Sequence, residues 1–444
     1  MAALADLVSC PAKWPRAAMA ALAAAVFAAL DVVDVLLCLV YGVLDGFLEE
    51  SPLGCYCHRS RGKAPAAGEE EDDGVSDTLY VRRSACRDAL LRLLGAVGGG
   101  TRRKEDTSPA KARSPRWSDC GCGKCGAWRS NGGDRLHFVL QEPAAPKKGA
   151  EETRSESGRG DDDAIFIHGF TSSSSFWVQT VFPEPAAANH RRLIAVDLLG
   201  FGDSPKPASC AYTLRDHVEA IERSLIDPLH LGSFHLVSHS MGCTIAIALA
   251  AKHPARVKPI TLVAPPYFLP CEEERASQVA LRRLAEKKLW PPLLFGSAVM
   301  SWYEHIGRTI CFVVCKNHRF WEWLIKILTR TSGVDIVVRD LTRHTHHSAW
   351  HTMHNVICGG ARAQDRNLEA LAAAGVPVRV VHGDGDQVVP VECSSRHLKS
   401  KLPHAELRII GGRDHRTVVF GREEELAQEL RAFWSGCEKA GCAC

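Results

Sequence analysis

Two periodicities of apolar residues alternate along the part of this chain that runs from residue 131 to about 436. Short apolar runs, several with period-two alternation, predict strands at 135–140, 163–168, 192–197, 234–238, 257–264, 376–382 and 405–410. Apolar residues recurring every three or four positions predict helices near 213–229, 241–252, 390–401 and 422–434. Strands alternating with helices imply an α/β domain, a mostly parallel sheet with helices on both faces. Between residues 266 and 371 the alternation lapses into helical, aromatic-rich sequence, as a helical cap inserted into such a domain would give.

The N-terminal pattern is different. After Lys13 and Arg16, residues 17–48 are apolar except for Asp31, Asp34 and Asp45. The stretch from Ala17 to Leu30 has the length of a signal-peptide core, and extended to Tyr41 it reaches bilayer-spanning length. Basic residues ahead of it predict a cytosolic N-terminus with the rest of the chain on the far side. Residues 1–50 are therefore read as a signal or membrane-anchor region, against the alternative of a buried amphipathic helix. Residues 51–130 read as a cysteine-containing linker, followed by the 131–436 domain and a short cysteine-containing tail at 437–444. GEEEDDG (68–74), GGGTRRKEDTSPAKARSP (98–115) and PKKGAEETRSESGRGDDD (146–163) are too polar and too rich in Gly, Ser and Pro to build a core.

Candidate chemistry centres on FHLVSHSMGCTIAIALA, residues 234–250. An apolar strand, the turn Ser238-His239-Ser240-Met241-Gly242 and an alanine-rich helix make the context of a nucleophile elbow. Gly242 allows strand and helix to approach closely; Ser238 stands where a second glycine is usual. A serine hydroxyl needs a histidine to take its proton and a carboxylate to orient that histidine. VPVRVVHGDGDQVVP (376–390) and AELRIIGGRDHRT (405–417) are strands running into loops, and they supply Asp386 and His415 in the chain order expected of α/β-hydrolases. Asp384 is the competing acid; Asp386, four residues before Pro390, has the better spacing. Asp414 reads as a turn residue. DDAIFIHGF (162–170) predicts a strand whose loop donates the Phe170 amide to an oxyanion hole, with Met241 as the second donor and His168 as a structural residue. The expected fold is thus an α/β-hydrolase with a helical cap.

HGFTSSSSFW (168–177), VDLLGFGDSPKP (196–207), VSHSMGC (237–243), CKNHRFWEWL (315–324) and HTHHSAWHTMHNVICGG (344–360) together resemble the plant BODYGUARD family. The resemblance implies an α/β-hydrolase of the epidermal cuticle and outer cell wall, with a part in making or organising cutin polyester. The cap motifs are the specific ones; HGF is general to α/β-hydrolases.

Five of the ten tryptophans fall in the cap, among them Trp321 and Trp323, which are expected to bind the acyl chain of a substrate if they are not simply cap core. His344, His346, His347, His351 and His354 crowd together without an H-E-x-x-H pattern, so hydrogen bonding that shapes the cap is expected rather than metal binding. Cys120, Cys122 and Cys125 form a possible ligand set with no fourth member in sequence. Cys55 and Cys57 are acylation candidates should they face the cytosol. No cofactor and no metal is called for. A net charge of +3 without a long basic run argues against nucleic acid, and eighteen cysteines without regular spacing leave the compartment open.

The expected function is therefore a serine hydrolase or acyltransferase acting on ester bonds of acyl lipids or polyester precursors. The membrane is its second partner, through residues 1–50. The alternative is a ligand-binding or scaffolding protein that keeps the fold without turnover.

Overall fold

The computed structural model describes residues 16–49, 74–81, 116–130, 133–143, 163–188, 191–269, 274–330 and 336–441. Cys55 and Cys57 lie outside the described residues, as do most of the three polar tracts.

Seven strands, β1 (Phe138–Gln141), β2 (Asp163–Ile167), β3 (Arg192–Val196), β4 (Phe234–His239), β5 (Val257–Val263), β6 (Val378–Gly383) and β7 (Glu406–Ile410), form one sheet. Their order is β1-β3-β2-β4-β5-β6-β7. Only β1 runs antiparallel; Phe138 pairs with Val196, while Ile165 of β2 sits between Ile194 and Leu236 in parallel register. The first strand begins later than its apolar pattern predicts. Leu136 and His137 donate their backbone N–H groups to the Ser224 and Ser204 hydroxyls, which takes them out of the ladder.

The principal helices are α1 (Arg16–Leu48), α2 (Leu214–Ile221), α3 (Met241–Lys252), α4 (Glu304–Val313), α5 (His318–Thr329), α6 (His346–Thr352), α7 (Gly360–Ala373), α8 (Ser395–Lys401) and α9 (Glu423–Gly441). Thr213 and Asp216 close a capping box on α2, satisfying two otherwise orphaned donors. α9 runs into the segment read as a tail. Period-two alternation sorts the central strands onto two cores. Ile165 and Leu236 pack with Ile245 of α3 and Leu368 of α7 on one face, and Phe166 and Val237 pack with Trp177, Leu430 and Trp434 on the other. Each such buried side chain contributes roughly 1.5–3 kcal/mol before entropy is counted. The sequence pattern puts residues up to 371 in the cap, but α7 packs on α3 and belongs to the helical layer of the sheet.

α1 does not stand apart from the domain. Its buried positions, Phe27, Asp31, Asp34, Val35, Cys38, Tyr41 and Asp45, make one helical stripe against α4 and the residues just before it. Asp31 accepts from the Tyr303 hydroxyl at 2.9 Å. Asp34 accepts from the first backbone N–H groups of α4, His305 at 2.9 Å and Ile306 at 3.2 Å, and so caps a helix from outside it. Asp45 takes a bidentate Arg308 at 2.6 and 2.7 Å, Arg116 at 2.7 Å and the Trp117 indole at 2.6 Å. The opposite face presents Val33, Leu36, Val40, Val43 and Phe47 outward.

Candidate active site

The sheet delivers the candidate residues to one place because parallel strands all end on the same edge. Ser240 follows β4 directly and has φ 52° and ψ −126°, a conformation that L-residues rarely adopt. Its N–H donates to the Val263 carbonyl at 2.9 Å, which anchors the turn to β5. The turn is possible because Gly242 has no side chain: a Cβ there would lie 2.5 Å from the His168 carbonyl oxygen. Ser238, in the other small-residue position, is accommodated inside the sheet with its hydroxyl turned toward the Thr261 carbonyl at 3.4 Å.

Three loops then converge. His415 Nε2 is 2.9 Å from Ser240 Oγ, and His415 Nδ1 is 2.6 Å from Asp386 Oδ2. An ionised carboxylate only accepts, so the proton sits on Nδ1 and Nε2 is left to accept from the serine hydroxyl. Asp386 Oδ1 also accepts the Val388 and Val389 amides, each at 2.8 Å, and Oδ2 accepts His382 Nε2 at 3.0 Å. Burial by itself would raise the Asp386 pKa. The hydrogen bonds from His382 and His415, with the backbone donors, outweigh it and hold the carboxyl well below its ordinary range.

Asp384 is elsewhere: it is exposed and its Oδ1 accepts the Gly412 amide at 2.7 Å. Asp414 accepts from the Arg416 and Thr417 amides in a local turn. The loop after β2 lies against the serine, since a Cβ on Gly169 would be 3.1 Å from Ser240 Cβ. That brings the loop carrying Phe170 beside Met241, the first residue of α3. His168 is fully buried; its Nε2 accepts the Leu198 amide at 2.9 Å and its Nδ1 donates to Gly169 O at 2.7 Å. Burial lowers its pKa, so it stays neutral and ties the loops after β2 and β3 together. The site can polarise a serine hydroxyl, receive its proton, and offer backbone donors to a developing oxyanion.

The family description that matches this chain is the alpha/beta hydrolase fold, over residues 165–289. Over 97% of its length the chain is 47% identical to the whole of probable lysophospholipase BODYGUARD 4 of Arabidopsis thaliana. It is 44% identical to probable lysophospholipase BODYGUARD 5 and 37% identical to probable lysophospholipase BODYGUARD 1 of the same plant, covering 95% and 94% of them with 94% and 92% of itself. The chain belongs to the BODYGUARD family. It is an α/β-hydrolase, esterase- or lipase-like.

Two further residues of this BODYGUARD site escape a reading by motif. His239, the variable position of the elbow, stacks on Phe176 with ring centres 4.8 Å apart and donates from Nε2 to the His415 carbonyl at 2.9 Å. Burial, assisted by the nearby His415, pushes its pKa down to about 3, which keeps it a neutral donor. His382, the last-but-one residue of β6, bridges Asp386, the Val389 carbonyl at 2.8 Å and the Ser395 hydroxyl at 2.5 Å. The only sequence signal for it is a histidine at the end of an apolar strand, four residues before the acid.

The cap is joined to the site loops. Asp340 accepts the Ser173 hydroxyl at 2.5 Å, and the Ser348 hydroxyl donates to Gly200 O at 2.9 Å. The histidine segment divides its work: His347 donates to Cys210 O at 2.9 Å, His351 to Ala211 O at 3.2 Å, and His354 meets the Thr78 hydroxyl at 3.1 Å. Trp321 and Trp323, expected to bind an acyl chain, lie on α5. The Trp321 indole donates to Val313 O at 3.0 Å, both rings contact Phe320, and Trp323 is 56% exposed.

Proposed function

We propose that this BODYGUARD protein is a serine hydrolase of acyl-lipid esters. The observation that carries the reading is the continuous hydrogen-bonded chain Ser240–His415–Asp386, at 2.9 and 2.6 Å, on a strained turn at the sheet edge. Ser240 Oγ attacks the ester carbonyl while His415 Nε2 takes its proton. Asp386 holds the imidazole and stabilises the imidazolium. The Phe170 and Met241 amides receive the oxyanion. His415 then protonates the departing alkoxide, leaving an acyl-enzyme on Ser240, and water or an acceptor alcohol takes the acyl group with His415 as base.

Acyl lipids are proposed on two grounds. The BODYGUARD relatives are named probable lysophospholipases. In addition, α5 presents Phe320, Trp323, Ile327 and Leu328 outward, and α1 has an outward apolar face of its own. Trp321 and Trp323 are then contacts for an arriving acyl chain at the protein surface. An acceptor alcohol in place of water would make the same chemistry a polyester-forming transacylation, in keeping with a role in the plant cuticle and cell wall. Lys13 ahead of α1 and Arg16 at its start support export of the domain, with α1 retained at the membrane rather than removed, because its aspartates complete the fold of α4.

A fluorophosphonate probe should label the wild-type protein and leave Ser240→Ala unlabelled, and a 1-acyl lysophospholipid should release fatty acid only with the former. A folded wild-type protein that neither labels nor turns over would sink the catalytic reading in favour of a ligand-binding one. A glycosylation reporter at the C-terminus that stays unmodified would remove the export part alone.

A further inference from the structure

Cys120, Cys122 and Cys125 come with no fourth ligand nearby in sequence, yet the fold supplies one. His318, at the start of α5, brings Nε2 to 3.5 Å from the Cys122 sulfur and 3.5 Å from the Cys125 sulfur. The four donor atoms, with the Cys120 sulfur, all lie within 4.8 Å of one another. We propose that Cys120, Cys122, Cys125 and His318 bind one Zn²⁺ in a closed tetrahedral site that staples residues 116–130 to the cap.

The geometry selects the ion. Tetrahedral zinc with Zn–S near 2.3 Å and Zn–N near 2.0–2.1 Å requires S···N separations of about 3.5–3.6 Å. The two measured separations meet that requirement. Three thiols and an imidazole are the donor set of structural zinc and not of Mg²⁺ or Ca²⁺, which take oxygen ligands. The remaining ring nitrogen of His318 lies 3.0 Å from Glu322 Oε1, one turn further along α5. That carboxylate fixes the Nδ1–H tautomer and leaves Nε2 free for a metal, the usual outer support of a zinc-bound histidine. Cys122 also accepts the Cys125 amide on its sulfur at 3.5 Å, so the Cys122-Gly-Lys-Cys125 turn already points both sulfurs the same way. A disulfide would join two of the three sulfurs and leave His318, shared equally between two of them, without a purpose. Arg129 and Lys206 share a small cavity with Cys120 and Cys125, and offer positive charge beside a site of three thiolates and one divalent ion.

The staple falls where support is needed. The segment just before it wedges between α1 and α4: Arg116 and Trp117 bond Asp45, and Lys316 donates to the Trp117 carbonyl at 2.6 Å. Zinc at its end would hold that wedge against α5. A neighbouring group, Cys311, Cys315 and His344, has three donors among the described residues and lies outside the proposal.

The test uses the full chain, purified under reducing conditions without chelator, with zinc counted by inductively coupled plasma mass spectrometry. Cys122→Ser should contain one zinc fewer per chain than wild type. Replacement of zinc by Co²⁺ in the wild type should give the visible bands of tetrahedral cobalt with a thiolate charge-transfer band, absent from Cys122→Ser. Glu322→Gln, which leaves all four ligands in place, should release zinc to a competing chelator at 10- to 100-fold lower chelator strength. A chelator should lower the melting temperature of the wild type and not of Cys122→Ser. Equal zinc in both proteins, or a zinc-free wild type whose intact mass shows these cysteines paired as a disulfide, overturns the proposal.

Discussion

Two helices of this protein are almost equally apolar and are used in opposite ways. α3 is buried on every side, carries no charge before its last residue, and has Gly242 where the sheet comes closest. α1 carries three aspartates, and these lie on its buried stripe while Val33, Leu36, Val40, Val43 and Phe47 face outward. A helix enclosed by protein must be apolar throughout. α1 keeps its polar groups on its protein-facing side, where their hydrogen-bonding partners are. Hydropathy sees the two as alike; only the partners distinguish them.

The buried carboxylates of the two regions extend the contrast. Asp386 and Asp45 each take several donors, but one holds His415 beside Ser240, as the proposed function requires, and the other fastens a helix. Asp386→Asn should therefore lower turnover by up to about 10⁴ with little loss of melting temperature, because the amide favours the wrong His415 tautomer. Asp384→Asn should leave turnover near wild type. Steady-state rates on one ester decide between them, and an equal or larger loss at Asp384 would mean that the orienting acid is misassigned.

Asp45→Ala should act in the reverse sense. It takes the bidentate partner from buried Arg308, which keeps only the Ser118 hydroxyl and Glu49 at 3.9 Å, at a cost of about 3–5 kcal/mol of stability, while the rate per folded molecule stays unchanged. Denaturant unfolding beside active-site titration separates the two quantities. A mild loss of stability would show that α1 is an appendage rather than part of the fold.

A third, smaller effect concerns three buried histidines, His217, His239 and His347. Burial pushes His217 and His347 down to about 4 and His239 to about 3. The unfolded chain binds protons at these sites below its ordinary value of about 6.5, whereas the folded chain resists until the lower values. Stability from these groups is thus complete above about 6.5 and declines as pH falls toward 4, by up to about 1.4 kcal/mol per pH unit for each titrating histidine. Melting temperatures across that range should show the slope, and His347→Gln should make it shallower. A flat profile would mean that these rings are hydrated.

The smallest effect on stability is expected on the outward face of α1. Phe47→Ser, at a position 84% exposed, should change stability by no more than about 0.5 kcal/mol yet weaken binding to phospholipid vesicles. Unaltered vesicle binding would take the outward face out of the proposed membrane contact.

The fold and the arrangement of the site were legible because they rest on local rules. Continuous apolar runs make buried parallel strands, and Ser240, Asp386 and His415 each follow such a run, so the common edge brings them together. The strand-to-helix turn needs Gly242, and the sequence states it. Other features depended on residues far apart in the chain. Nothing beside His239 or His382 says that they will support His415 and Asp386, because that depends on which loops meet above the sheet. Trp323 points outward because α5 meets few neighbours, a fact about packing that its aromatic run does not contain.

What the sequence determined by itself, then, is the order of elements and the strand-to-helix turn at Ser240, both set by periodicity and by the steric needs of consecutive residues. The tertiary structure decided what the polar groups inside apolar or unstructured stretches are for. Asp31, Asp34 and Asp45 find Tyr303, the head of α4 and Arg308, and Cys120, Cys122 and Cys125 find His318. A buried charge or thiol takes its meaning from its partner, and these partners lie nearly two hundred residues or more along the chain, where only the folded backbone brings them within reach.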